Sequence, residues 1–221
     1  MEWTGVIAID GPAGAGKSTV AKAVASKLGI DYLDTGALYR AVAYYLDSVS
    51  VPPEESGTLK KALFDVNVEL MGGAVYVNGE NVSSLIRTPK VDKIASLYSA
   101  LPSVREKLMS IQREQALRGG LVADGRDMGT VVFPYAPVKI FLTADAEVRA
   151  KRRFDELKGN GVDVDFGKLL DEIIRRDEAD AKRSIAPLVQ ASDALLLDSS
   201  EMSADEVAEK IAGIARDYCR V

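Results

Sequence analysis

Apolar and polar positions fall into alternating blocks along most of this chain. Short apolar runs recur at Val6-Ile7-Ala8-Ile9, Leu121-Val122-Ala123, Ile140-Phe141-Leu142 and Ala194-Leu195-Leu196-Leu197. Runs of this length, closed by Asp, Gly or Pro, predict strands buried on both faces. Between them, apolar residues recur every three or four positions, which predicts helices. The strands are expected at Val6–Asp10, Ile30–Asp34, Leu121–Asp124, Val138–Leu142 and Ala194–Asp198. The helices are expected at Ser18–Leu28, Ala37–Leu46, Leu101–Arg118, Ala146–Leu157, Phe166–Lys182 and Ala204–Tyr218. Gly29 ends the first of these, and Ser203 with Glu206 three residues on predicts a capping box for the last. Strands alternating with helices predict an α/β fold, a parallel sheet covered by helices.

Residues 65–82 break this rhythm. Val66, Val68 and Leu70 alternate with polar residues, Met71-Gly72-Gly73 turns, and Val75 and Val77 alternate before Asn78-Gly79. That pattern predicts a small antiparallel sheet. Roughly residues 60–95 therefore read as an insertion in the α/β core, either an element that helps cover a substrate or mere decoration.

Composition narrows the function classes. The 221 residues, 47% hydrophobic and 28% charged, suit one globular domain with a core of its own. Basic residues number 28 and acidic ones 33, for a net charge of −5. This balance argues against a nucleic-acid partner. Histidine is absent, which excludes Ser-His-Asp and Cys-His nucleophilic chemistry and His-ligated metals. Cys219 is the one cysteine. It rules out an intrachain disulfide, fits a reducing compartment and reads as a bystander. No apolar run approaches the roughly 18 residues of a membrane span, and no basic-then-apolar leader is seen. A cytosolic location without membrane partners is the expectation.

The strongest chemical signal follows the first strand. Gly11-Pro12-Ala13-Gly14-Ala15-Gly16-Lys17-Ser18 fits G-x-x-x-x-G-K-[ST], and Thr19 continues into the helix. Glycines let the backbone curl and aim several N–H groups at one phosphate, and the helix that follows adds its positive end. Lys17 is placed to reach the outer phosphates of ATP, and the Ser18 hydroxyl to ligate Mg²⁺. This strand–loop–helix context makes a P-loop NTPase core the fold expectation.

Other segments bear on what receives the phosphate. Asp34-Thr35-Gly36-Ala37-Leu38-Tyr39-Arg40 leaves the second expected strand at the edge where α/β sheets bind ligands. Thr35 and Arg40 suit a phosphate there; helix capping and a surface ion pair are the alternative. Ala123-Asp124-Gly125-Arg126-Asp127-Met128-Gly129 leaves another buried strand at that edge. Asp124 stands where a carboxylate near Mg²⁺ is expected, while Arg126 and Asp127 can face a substrate or simply pair within a polar turn. Arg149, Arg152 and Arg153 share one face of an expected helix, and Arg176, Asp180 and Arg183 one face of the next. The two helices flank Gly159-Asn160-Gly161, and Pro187 follows the second. Charge on a helix is usually a solvated face. Arginine at both faces nevertheless favours bidentate phosphate contact and a helical lid that excludes water. A kinase needs that exclusion, because an open site hydrolyses ATP. A nucleotide phosphate acceptor is largely deprotonated at pH 7, so such a kinase needs no histidine base.

These residues closely resemble the bacterial cytidylate kinase family of nucleoside monophosphate kinases, over about residues 5 to 218. The resemblance rests on IDGPAGAGKST, DTGALYR, the IRT segment at 86–88, ADGRDMGTVVFPYAPVKIF, RRDEADAKRSIAPL and ALLLDSS. The P-loop is shared by many unrelated proteins; the DGRDMGTVVFP segment is far more specific. The resemblance implies one kinase domain over residues 1–221, with a five-stranded parallel core, a nucleotide-binding insertion at about 60–95 and a lid at about 146–183. It also implies ATP as donor and CMP or dCMP as acceptor, and a monomer. By resemblance, Ser96, Arg105 and Asp127 read the base, and Arg176 and Asp180 hold the sugar. Arg40, Arg126 and Arg183 hold the acceptor phosphate, with Thr35 beside them. Lys17, Arg126, Arg149, Arg153 and Arg183 are the expected catalytic set, and Ser18 and Asp124 the expected metal ligands. A kinase for another small acceptor is the alternative among enzymes. A guanine-nucleotide switch is the alternative outside them, and the nearest string to its base-reading motif, Pro89-Lys90-Val91-Asp92, lacks the required Asn or Thr.

Overall fold

The computed structural model describes residues 3–159 and 161–218. Asn160 of the expected turn and Cys219 lie outside the described residues. The described chain forms two compact units. One holds the residues up to Leu33 and from Ala116 onward; the other holds Asp34–Gln115.

The first unit is organised by the five-stranded sheet. Strands β1 (Val6–Asp10), β2 (Asp31–Asp34), β6 (Leu121–Gly125), β7 (Val138–Thr143) and β8 (Leu195–Asp198) stand in the order β2-β6-β1-β7-β8. Pairing is parallel, with Ile7 opposite Val122 and Val138, and Ile140 opposite Leu195. Asp10, Gly125, Thr143 and Asp198 therefore close their strands along one edge of the sheet. Ile7, Ala8 and Ile9 are wholly buried, as expected of a strand covered on both faces. One covering layer is α1 (Lys17–Leu28) and α8 (Ala204–Tyr218). Val20, Val24, Val207 and Ile211 from these helices share a core with Ile7, Ile9, Ile140 and Leu142. Each such side chain contributes about 1.5–3 kcal/mol by leaving water. The predicted capping box starts α8: Glu206 N–H donates to Ser203 Oγ at 3.3 Å, and Ser203 N–H donates to Glu206 Oε2 at 2.8 Å. Helices α6 (Ala146–Gly159) and α7 (Phe166–Ala181) complete this unit.

The second unit contains α2 (Thr35–Ser48), α3 (Gly57–Asp65), α4 (Pro89–Tyr98), α5 (Pro102–Gln115) and a three-stranded antiparallel sheet. Its strands are β3 (Val68–Met71), β4 (Ala74–Val77) and β5 (Glu80–Asn81). Val68 pairs with Val77 and Leu70 with Val75, so the expected hairpin is present. Glu80–Asn81 folds back as a third strand that apolar alternation did not mark.

Several boundaries differ from expectation for local reasons. Strand β2 begins at Asp31, because Ile30 N–H closes α1 by donating to Ala25 O at 3.1 Å. Helix α2 starts at Thr35 instead of Ala37, because Asp34 Oδ1 accepts the Ala37 N–H at 2.8 Å. The expected helix 101–118 ends at Gln115, and Ala116–Arg118 tightens into a 3-10 turn. Strand β8 begins at Leu195, because Ala194 N–H turns back to Ala191 O. Helices α3 and α4 were not expected at all. Both are short, and their starts depend on side-chain caps: Ser56 Oγ takes the Leu59 N–H, and Thr88 Oγ1 takes the Val91 N–H. Among the described residues, no helix is long and apolar enough to cross a membrane.

Candidate functional site

The loop Gly11–Ser18 joins the end of β1 to the start of α1. Gly11 has φ +150°, and a Cβ there would lie 1.9 Å from the Leu142 carbonyl oxygen. Only glycine lets the chain pass so close to β7. Gly16, left-handed at φ 85°, occupies the N-cap position of α1 and makes no side-chain cap bond. The first-turn N–H groups of α1 thus have no side-chain acceptor, the arrangement that binds anions at helix starts. Ser18 and Thr19 are exposed in that first turn, while Lys17 and Ala15 are buried.

Lys17 Nζ donates to Pro12 O at 2.7 Å, inside its own loop. Burial pushes the Lys17 amine well down from its usual range, and the nearby Arg126 adds to this; Asp124 and Asp10 oppose it. A buried amine in this state gains from an added anion, which favours its charged form. Ser18 Oγ donates to Asp124 Oδ2 at 2.8 Å, and the Tyr32 hydroxyl donates to Asp124 Oδ1 at 2.9 Å. A hydroxyl and a carboxylate side by side are oxygen donors of the kind Mg²⁺ takes while sharing phosphates and waters. Among the described residues, no cluster of three or more His, Cys, Asp or Glu could hold a metal ion. The Ser18 hydroxyl and Asp124 carboxylate would fit a cation that takes its remaining oxygens from phosphate and water.

A second cluster gathers on Asp180, which α7 carries into the first unit. Arg126 Nε donates to Asp180 Oδ2 at 2.8 Å, and Arg183 Nη2 lies 3.7 Å from Asp180 Oδ1. Burial alone would push the Asp180 carboxyl up. The charges of Arg126, Arg183 and Arg176 outweigh it and hold Asp180 below the usual carboxylate range. Three guanidinium groups thus act on one carboxylate. Arg126 and Asp180 are 54 positions apart, and the fold brings them together with Arg176 and Arg183.

The arginines of α6 diverge. Arg149 is buried: Nε donates to Ala144 O at 2.8 Å, and Nη1 donates to Ala13 O at 2.9 Å and lies 2.6 Å from Asp177. It thereby ties the phosphate loop to α7. Arg152 donates to Ser199 O at 2.6 Å. Arg153 instead pairs with Glu156 at 2.9 Å, near the surface. The three arginines expected on one face therefore take different partners.

In the second unit, Thr35 is buried at the first position of α2. Arg40 Nη2 reaches both Asp34 oxygens at 3.4 Å, and Arg87 Nη2 reaches Asp34 Oδ2 at 3.3 Å. The Asp34 cap and the Arg40 ion pair, the alternative reading of this segment, are both present. Yet Arg40 Nε is buried without a hydrogen-bond partner, a donor that an anion would satisfy. Arg105 is buried on α5, donates to Ser99 O at 3.1 Å and lies 5.6 Å from the Tyr39 ring centroid. Ser96 is half-buried on α4.

The sequence reading missed several residues. Asp10, Tyr32, Lys139, Asp177 and Ser199 all make buried or partly buried polar contacts to functional segments. Asp10 carried a usable signal: it closes an apolar strand, as Asp124 does. Lys139 interrupts another. Asp177 and Ser199 carried none.

The family described as cytidylate kinase matches residues 7–217. A cytidylate kinase of Fervidobacterium nodosum is 52% identical over 97% of this chain and 98% of that one. A cytidylate kinase of Colwellia psychrerythraea is 53% identical over 96% of each. Among solved structures, a gluconokinase of Sinorhizobium meliloti superposes with a TM-score of 0.51 at 17% identity, covering 100% of this chain and 97% of that one. This last likeness concerns the fold alone.

Proposed function

The chain belongs to the cytidylate kinase family, and from that premise we propose how its own residues move the γ-phosphoryl group of ATP to cytidylate. The loop Gly11–Ser18 cradles the donor polyphosphate with backbone N–H groups, and Lys17 neutralises its outer charge. Ser18 and Asp124 would hold Mg²⁺, which would neutralise charge on the donor phosphates. Arg40, Arg126 and Arg183, with Thr35, orient the acceptor phosphate. Arg176 and Asp180 hold the sugar. Ser96, Arg105 and Asp127 read the base, with Asp127 accepting from the cytosine amino group. Uracil offers an acceptor at that position, so the Asp127 carboxylate would face an acceptor there.

No general base is needed, because the attacking phosphate oxygen is already ionised. Catalysis is then positioning and charge stabilisation, supplied by Lys17, Arg126, Arg183, Arg149 and Arg153. Residues 146–183 act as a lid and residues 60–95 as the acceptor-side insertion of a single domain. The enzyme works as a cytoplasmic monomer, without nucleic-acid or membrane partners.

The observation that carries this reading is the gathering of Arg126, Arg176 and Arg183 around Asp180, with Lys17 buried in the loop of the same unit. The guanine-nucleotide switch has no such support. Pro89-Lys90-Val91-Asp92 opens α4 and follows no strand of the parallel sheet. The test is a coupled ADP-release assay with CMP, dCMP, UMP and AMP as acceptors. CMP and dCMP should turn over fastest; equal rates with AMP would refute the acceptor assignment.

A further inference from the structure

The Asp10 carboxylate is buried, 4% exposed, at the end of β1 and one residue before the phosphate loop. Its Oδ1 accepts the Met128 N–H at 2.7 Å and its Oδ2 accepts the Gly129 N–H at 2.7 Å. These two amides open the π turn Met128–Val132, which directly follows Arg126 and Asp127. Later amides of this segment bond back within it: Val131 and Val132 donate to Asp127 O, and Phe133 to Met128 O. The first amides of a helical turn have no partner inside it, and the cap residue usually supplies one. Here the cap position belongs to Asp127, whose side chain makes no cap bond. Asp10 makes both bonds instead, from another strand.

The same segment is gripped from its other side. A Cβ on Gly129 would lie 3.2 Å from Lys139 Cδ and 3.4 Å from Asp10 Oδ2. Lys139 Nζ donates to Pro134 O at 2.6 Å and to Asp193 Oδ2 at 2.7 Å. Asp10 and Lys139 thus fix the two ends of residues 128–134.

We propose that Asp10 is a positioning residue for the acceptor: by capping the turn from β1, it holds Arg126 and Asp127 in place. This rests on the roles given to Arg126 and Asp127 above. The chemistry calls for a carboxylate. Two N–H donors converge on it, and an amide offers one acceptor oxygen and one donor nitrogen.

The test is steady-state kinetics of the full chain carrying Asp10→Asn, with ATP, CMP and UMP varied separately and thermal unfolding recorded alongside. The KM for CMP should rise at least tenfold and the CMP-over-UMP preference should fall at least threefold, while the KM for ATP stays within twofold. Gly129→Ala crowds the same contact without removing the carboxylate, and should raise the KM for CMP in the same direction by less. A folded Asp10→Asn enzyme with unchanged KM for CMP overturns the proposal, as does a parallel rise in both KM values. If Asp10→Asn does not fold, an unchanged KM for CMP in Gly129→Ala overturns it. Wild-type turnover of CMP separates the cases: its absence defeats the acceptor assignment, whereas its presence beside an unaffected Asp10→Asn enzyme defeats only the positioning role.

Discussion

On the proposed reading, the phosphate loop and the Asp180 cluster, both in the first unit, would hold anions by different means. The loop is made of backbone. Gly11 passes β7 where no side chain fits, and Gly16 starts α1 with no side-chain cap. The cluster is made of long side chains, Arg126, Arg176 and Arg183, organised by one buried carboxylate. Backbone amides are fixed by the fold and serve any polyphosphate. Guanidinium groups depend on their partners, so they can be tuned to one acceptor and lost by one substitution. Under the proposed roles, generality would lie on the donor side and selectivity on the acceptor side.

The largest expected effect comes from breaking the donor side. Lys17→Ala should lower turnover by about a thousandfold while circular dichroism and thermal unfolding stay close to wild type. Near-normal turnover would mean that the loop does not position the donor.

A second test concerns the link between the loop and the acceptor segment. Burial pushes the Asp10 carboxyl up to about 6 from 3.8, against the pull of the Gly129 and Met128 N–H groups and of Lys17; Asp127 adds to the rise. The folded state therefore binds this proton more tightly than the unfolded state. Asp10 contributes stability below pH 4, and that contribution is lost as pH rises through 6. The change amounts to about 3 kcal/mol between those limits. Urea unfolding from pH 7 to pH 4.5 should show wild type gaining on Asp10→Asn. Parallel curves would place the Asp10 carboxyl at an ordinary value.

Selectivity gives a smaller signal. Asp127→Ala should erode the CMP-over-UMP ratio of kcat/KM by about tenfold, the scale of one unpaired buried polar group. An unchanged ratio would move base reading elsewhere. Smallest is a change outside both clusters. Ser203→Ala removes the capping box of α8 and should cost about 1 kcal/mol of stability, with kcat and KM unchanged.

The same contrast explains what the sequence could disclose. The loop was legible because its chemistry lies in eight consecutive residues between a strand and a helix. The parallel core was legible because buried strands read as apolar runs, such as Val6–Ile9. The Asp180 cluster was only half legible. Arg176, Asp180 and Arg183 share a helix face by spacing, but that they meet Arg126 depends on a contact spanning 54 positions. Arg149 shows the limit of spacing, since its face neighbour Arg153 pairs with Glu156 while Arg149 itself is buried against Ala13 and Asp177. Helices α3 and α4 were missed because Ser56 and Thr88, single capping residues, decide where they begin.

Titration calorimetry of the wild type, Lys17→Ala and Arg183→Ala, each with a non-hydrolysable ATP analogue and separately with CMP, tests the central claim most directly. The account predicts a crossed pattern. Lys17→Ala weakens the ATP analogue at least tenfold and leaves CMP within twofold, while Arg183→Ala does the reverse. Equal weakening of both ligands by either substitution would contradict a division of labour between loop and arginine cluster.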